Sequence, residues 1–230
     1  MIPLRDSEAI RRFTPVNTLL ILANIGVFAL ELHLGPRASE LGRLAMVPAR
    51  ITRYAAAPHN FRLLAPLITS LFLHASLMHV AGNMLYLLIF GPAVEQRMRG
   101  LRYLLFYLVA GVAAGLAMVA MGPMSRVPVI GASGAIAGVL GAYFVLYPRA
   151  YITTILPIFI FIQVVQIPAV FYLLFWFAIQ LYSGIVSGAE GPLIGGVAWW
   201  AHVGGFLFGI AAAPLLAHHP SVTPRRAVRY

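Results

Sequence analysis

Long apolar runs alternate along the chain with short connections that carry arginine. A helix crossing a bilayer needs about 20 mostly apolar residues. Six runs approach that length, at about 16–34, 76–94, 101–121 and 133–148, a fifth ending near Gly184, and a sixth at about 199–217. The stretch from Ile152 to Ser183 is too long for one upright span and short for two with a turn, and Pro157 and Pro168 interrupt it. It reads as an interfacial or re-entrant piece up to about Gln166, then one span from about Pro168. The first run follows a basic start, is long for a signal-peptide core, and has no clear small-x-small cleavage site after it, so it reads as an uncleaved span. The pattern predicts an all-α membrane protein with a tail over 1–12, a six-helix domain over 13–218 and a second tail over 219–230.

Composition agrees. The chain is 61% hydrophobic and 10% charged, with a mean hydropathy of +0.88, which excludes an ordinary soluble domain. The net charge of +10 does not point to nucleic acid, because the arginines lie in the tails and between apolar runs. With no cysteine, a disulfide framework, a thiol nucleophile and a Cys-ligated metal are all excluded. Arg5, Arg11 and Arg12 precede the first span, Arg97, Arg99 and Arg102 join the second to the third, Arg149 follows the fourth, and Arg225, Arg226 and Arg229 close the chain. With six spans these fall on one side, expected to be cytoplasmic. The loop between the third and fourth spans carries only Arg126, and the one before the sixth carries Glu190 and no cation. The first loop, with Arg37, Arg43, Arg50, Arg53 and Arg62, departs from that bias and reads as a structured element on the outer leaflet.

The candidate chemistry lies at the starts of the even-numbered spans. Ser133 sits in Gly131-Ala132-Ser133-Gly134 where the fourth begins. Glycines clear space around the hydroxyl, and a helix start offers free backbone N–H groups to an oxyanion. His202 opens the sixth span after Trp199-Trp200, which read as interface anchors. Gly204, Gly205 and Gly209 on that span, and Gly134, Gly138 and Gly141 on the fourth, are spaced for close helix packing. Packing of that kind would bring the imidazole to the hydroxyl as a general base. This pairing requires a single span between residues 152 and 183, because two would put His202 at the opposite face.

No acid completes a triad. The only aspartate is Asp6, and Glu31, Glu40, Glu95 and Glu190 belong to span ends or loops, so the pair is a Ser–His dyad. His79 and Asn83 share a helix face at i, i+4 and would either serve an oxyanion site or make interhelical hydrogen bonds. His74 is expected on a different face, in a structural hydrogen bond. The sequence holds no HExxH and no carboxylate near these histidines, so no metal is expected, and an aspartyl intramembrane protease lacks its two membrane aspartates.

Together these residues resemble the rhomboid family of intramembrane serine proteases. The matching elements are His74-Ala75-Ser76-Leu77-Met78-His79 with Gly82-Asn83-Met84, Glu95-Gln96-Arg97, Gly131-Ala132-Ser133-Gly134, and Ala201-His202-Val203-Gly204-Gly205 through Gly209, spread over roughly 13–217. The resemblance implies a six-helix rhomboid bundle with a membrane-associated first loop. It implies Ser133 as nucleophile, His202 as base, and His79, Asn83 and the Ser133 amide as the oxyanion site. Glu95 and Arg97 would brace the cytoplasmic end of the second helix, with His74, Gly131, Gly134, Gly205 and Gly209 in support. It further implies hydrolysis of peptide bonds in or beside transmembrane helices of protein substrates, no cofactor, and lateral substrate entry past the fifth helix and the loop at roughly Ile185 to Ala198. Two departures stand out. Ala137 occupies the position where some members stack an aromatic on the histidine, so His202 must be held differently, and the first-loop Trp-Arg pair is absent, with Phe61-Arg62 the nearest match. A catalytically inactive rhomboid-like adaptor or chaperone is the alternative, and a small transporter or channel the third reading. Compactness points to a prokaryotic inner membrane with both termini cytoplasmic.

Overall fold

The computed structural model describes residues 1–8, 13–56, 61–158, 161–187 and 197–218. Helix α1 (Pro15–Leu34) opens with a proline in its first turn, where no intrahelical N–H is needed. A 3-10 segment (Gly35–Leu44), α2 (Pro48–Ala56), α3 (Pro66–Thr69) and further short 3-10 turns then build the first loop as a structured element. Next come α4 (Leu77–Met98), α5 (Gly100–Met121), α6 (Ser133–Leu146), α7 (Ala169–Ser187) and α8 (Trp199–Leu216). Five of these, α1, α4, α5, α7 and α8, are long and apolar enough to cross a membrane. Helix α6 is equally apolar but has 14 residues, about 21 Å at 1.5 Å per residue, against a hydrocarbon core of about 30 Å. Residues Gly134–Tyr143 of α6 are all buried, so it is the central post of the bundle rather than a lipid-facing span.

The segment expected to lie in the interface or re-enter the membrane forms a β-hairpin. Strands β2 (Tyr151–Ile158) and β3 (Phe161–Pro168) pair antiparallel from Tyr151↔Pro168 to Ile158↔Phe161. The presumed N-terminal tail supplies β1 (Ile2–Asp6), which adds antiparallel to β2. The helical bundle therefore carries a three-stranded sheet, ordered β1-β2-β3, that an all-α reading does not contain. β-Branched residues crowd this stretch, and Pro168 sits at a strand end, where a missing N–H does least harm. Thr154 donates to the Ile2 carbonyl at 2.9 Å, and Tyr143 on α6 donates to the Asp6 carboxylate at 3.0 Å. Burial pushes the Asp6 carboxyl up, partly offset by that hydroxyl. The sheet thus closes the end of the bundle at which α6 stops.

The hairpin leaves one helix, α7, before α8, so α8 returns parallel to α6. The contacts show the direction: Gly205 lies against the Gly134 carbonyl, Gly209 against that of Gly138, and Gly141 against that of Phe206. On the other flank Gly134 and Gly138 meet Ala114 and Ala110 of α5. Helix α4 follows the same sense, with Asn83 near Gly131 and Phe90 edge-on to Tyr143 at 5.1 Å.

Buried polar groups pin the opposite ends of these helices. Glu95 accepts the Val16 and Asn17 N–H groups at 3.2 and 2.7 Å, capping the start of α1 from α4. The Asn17 side chain donates to the Leu87 carbonyl and accepts from the Tyr103 hydroxyl, tying α1 to α4 and α5. The Arg97 guanidinium lies 5.7 Å from the Tyr147 ring centroid. Residues 9–12, 57–60, 188–196 and 219–230, with Arg11, Arg12, Glu190, Arg225, Arg226, Arg229 and most of the loop before α8, lie outside the described residues.

Gly209→Val should force α6 and α8 apart. The expected loss is about 1–3 kcal/mol, read as a lower unfolding temperature in detergent, whereas Gly26→Ala in α1, where an added methyl meets nothing within 4 Å, should not lower that temperature.

Candidate active site

Ser133 is the first residue of α6. The chain reaches it through Gly131, whose φ of +116° disfavours any side chain. The Gly131 N–H is anchored on the Ser70 carbonyl at 2.9 Å. A Cβ at 131 would lie 2.6 Å from His79 Nε2 and 3.6 Å from Asn83 Nδ2, so the missing side chain is what lets both α4 groups approach the serine turn. Because Ser133 starts a helix, the N–H groups of the first turn have no intrahelical acceptor and face the cavity in front of it.

His202 comes from the first turn of α8. Its Nε2 lies 2.8 Å from Ser133 Oγ, and its Nδ1 lies 2.8 Å from Oε1 of Gln180 on α7. Gln180 Nε2 donates to the Trp176 carbonyl one turn earlier at 3.1 Å. A carbonyl can only accept, so the amide nitrogen faces Trp176 and the amide oxygen faces His202. In the neutral ring Nδ1 therefore carries the proton and donates to Gln180, which leaves the Nε2 lone pair to accept the Ser133 hydroxyl. Trp176 lies over the ring at 5.9 Å and 35°, and Trp199 meets it edge-on at 6.2 Å. These two tryptophans and Gln180 hold His202, while Ala137 packs beside Gly205. Trp199 thus has a site contact beyond any interfacial role, and the Trp200 ring packs against Gly184, where an added Cβ would lie 3.1 Å from it.

His74 lies in the extended segment before α4, not on the helix. Its Nδ1–H donates to the Phe72 carbonyl at 3.3 Å, and its Nε2 accepts from Asn83 Nδ2 at 3.0 Å. Burial, reinforced by the His79 ring 5.0 Å away, pushes His74 down to about 4, so it stays neutral and keeps that acceptor. Its backbone N–H donates to the Glu31 carboxylate at 3.1 Å, which joins the end of α1 to the site. Ser76 caps α4 by accepting the His79 N–H at 3.2 Å. One amide hydrogen of Asn83 is thus committed to His74 and the other remains for a ligand. Among the described residues no group of three or more His, Asp or Glu could hold a metal.

Ser133, His202, His79, Asn83 and Trp176 line one cavity of about 580 Å³ that extends between the first loop and α5, past Met46, Leu67 and Leu71. Glu95 and Arg97 lie at the other end of α4 and do not reach it. Gln180, Trp176 and Glu31 are the site residues that motif spacing misses, because none of them belongs to a recognisable motif. The one visible signal is that Gln180 is a lone amide in an otherwise apolar span, where a polar side chain needs a partner.

The Rhomboid domain family model matches residues 62–219. The chain is 37% identical over 115 residues to the rhomboid protease GluP of Bacillus subtilis, covering 50% of this chain and 21% of that protein. It is 27% identical over 187 residues to the mitochondrial RHOMBOID-like protein 6 of Arabidopsis thaliana, covering 81% of this chain and 53% of the relative. Against the human mitochondrial presenilin-associated rhomboid-like protein it is 30% identical over 204 residues, covering 84% and 46% respectively. The chain therefore spans between a fifth and about half of the length of these relatives.

Proposed function

The chain belongs to the rhomboid family of integral membrane proteins, and on that footing we propose that it is an intramembrane serine endopeptidase acting through a Ser133–His202 dyad. The observation that carries the reading is the 2.8 Å contact between Ser133 Oγ and His202 Nε2 at the floor of a cavity. The name of the GluP relative, a rhomboid protease, supports the same activity.

In this mechanism Ser133 Oγ attacks the substrate carbonyl carbon as its proton passes to His202 Nε2. The carbonyl π electrons move onto oxygen, and the Ser133 N–H, the free Asn83 amide hydrogen and His79 receive the oxyanion. Collapse breaks the C–N bond, His202 returns the proton to the leaving amine, and an ester remains on Ser133. Water from the cavity then gives a proton to His202 and adds to the ester, and the serine leaves with that proton. A peptide amide within a regular helix is closed to attack, so the substrate helix must unwind locally, which glycine or proline there should favour. The steps above draw only on this chain's own groups and water.

The substrates on this reading are transmembrane proteins, met laterally in a prokaryotic inner membrane. Arg5, Arg97, Arg99, Arg102 and Arg149 gather at the end of the bundle that carries the sheet, which we assign to the cytoplasm, and the site opens at the other end. Because the chain lacks cysteine, single cysteines report this directly. Met78→Cys should react with an impermeant maleimide on intact cells and Leu4→Cys should not, and the reverse pattern would overturn the orientation.

Purified protein should label with a serine-directed fluorophosphonate and cleave a membrane-anchored substrate. Ser133→Ala should abolish both without lowering the unfolding temperature. A parent protein that binds substrate helices but neither labels nor cleaves returns the inactive-adaptor reading. Asn83→Ala should slow cleavage by about 10–10³-fold, since backbone donors persist, and an unchanged rate would remove Asn83 from the oxyanion site.

A further inference from the structure

We propose that Gln180 is the positioning residue of the dyad: it fixes the tautomer and orientation of His202 from α7, the part a carboxylate plays in a triad. The proposal rests on the protease reading above. A serine–histidine pair works only when the ring nitrogen facing the hydroxyl is the unprotonated one. With nothing to accept at Nδ1, an imidazole can carry its proton on Nε2 instead, and the ring then points a donor at Ser133. Gln180 removes that choice. Its oxygen lies 2.8 Å from Nδ1, and its nitrogen donates to the Trp176 carbonyl, so a flipped amide would lose the Trp176 bond and set its oxygen against that carbonyl.

Several features make the pair rigid. Gln180 and His202 are both buried, at 5% and 8% exposure, so the hydrogen bond between them is largely shielded from solvent. Trp176, whose carbonyl holds the amide, also covers the ring, and Phe177 stacks on Phe206 at 4.8 Å to seat α7 against α8. At Gly184, one turn beyond Gln180, an added Cβ would lie 3.1 Å from the Trp200 ring, so the missing side chain lets the two helices approach. A neutral amide also suits this depth. It accepts the Nδ1–H without the cost of burying an ionised carboxylate among apolar helices. Among the described residues no acid hydrogen-bonds to His202, and the only partners its ring nitrogens have are Ser133 and Gln180.

The test combines ring-nitrogen NMR of ¹⁵N-histidine-labelled protein with fluorophosphonate labelling rates, for the parent, Gln180→Leu and Gln180→Glu. The parent should show His202 with a protonated Nδ1 and a bare Nε2. Gln180→Leu should lose that single tautomer and label about 10–100-fold more slowly, by analogy with the loss of a partner that orients a metal-bound histidine, at an unchanged unfolding temperature. Gln180→Glu, which keeps an acceptor for Nδ1, should recover labelling above the leucine variant and shift the pH–rate profile upward, as a carboxylate stabilises the imidazolium. A purely structural glutamine would change neither the tautomer nor the profile. Proton on Nε2 in the parent overturns the proposal by itself, even if Gln180→Leu fails to fold. So does a folded Gln180→Leu that labels at the parent rate with its tautomer intact. A parent that never labels defeats the protease reading instead, while its NMR spectrum still decides what Gln180 does.

Discussion

The backbone contact between α6 and α8 governs the rest of the molecule. Gly205 and Gly209 have no side chain, so the two helices close until Cα meets carbonyl oxygen, and they run parallel along that seam. Dispersion and close packing supply association energy inside a bilayer, where there is no water to expel, and close approach is what small residues permit. One consequence is chemical. Ser133 and His202 both open their helices, so a parallel seam in this register delivers the hydroxyl and the imidazole to one level with 2.8 Å between them. A shift by one helical turn would move them about 5.4 Å apart along the seam.

Polar groups are few in this bundle, and most described ones are committed in pairs. At the sheet end, Glu95, Asn17 and Tyr103 join α1, α4 and α5, and the carboxylate satisfies N–H groups that a helix start leaves open. At the site end, Glu31, His74 and Asn83 form a second chain from α1 into the cavity wall. The two clusters differ in what they leave over. The first is closed on itself, whereas the second ends on an amide hydrogen, a histidine ring and a helix N-terminus that face an open cavity. Unused hydrogen-bonding capacity that faces a cavity marks where a polar ligand can be received.

The short α6 suits this arrangement. At about 21 Å it is shorter than a hydrocarbon core of about 30 Å, and its Ser133 end meets the cavity. The first-loop elements wall that cavity, with Met46, Leu67 and Leu71 on its apolar side. A Met46↔Val129 bridge fastens the loop to the segment entering Gly131, so the wall and the serine turn belong to one piece of structure.

Apolar run lengths alone placed the helices to within a few residues, because crossing hydrocarbon leaves the backbone few options besides a helix. The same sequence marked the polar positions with any reason to be there: Ser133 between glycines, His79 and Asn83 on one face, and His202 beside small residues. It did not reveal the hairpin over 151–168, since its proline-broken apolar run fits an interfacial coil as well as a strand pair, and the partner that decides, β1, lies about 150 residues away. The role of Gln180 was hidden for a related reason. A single polar residue on an apolar helix shows that a partner is needed, but the partner is chosen by helix packing. Local sequence thus determined which groups are available for chemistry and that they sit in helices. Only tertiary packing decided which of them meet, because a hydrogen bond between residues 22 or 69 apart exists solely through the angle and register at which their helices lie together.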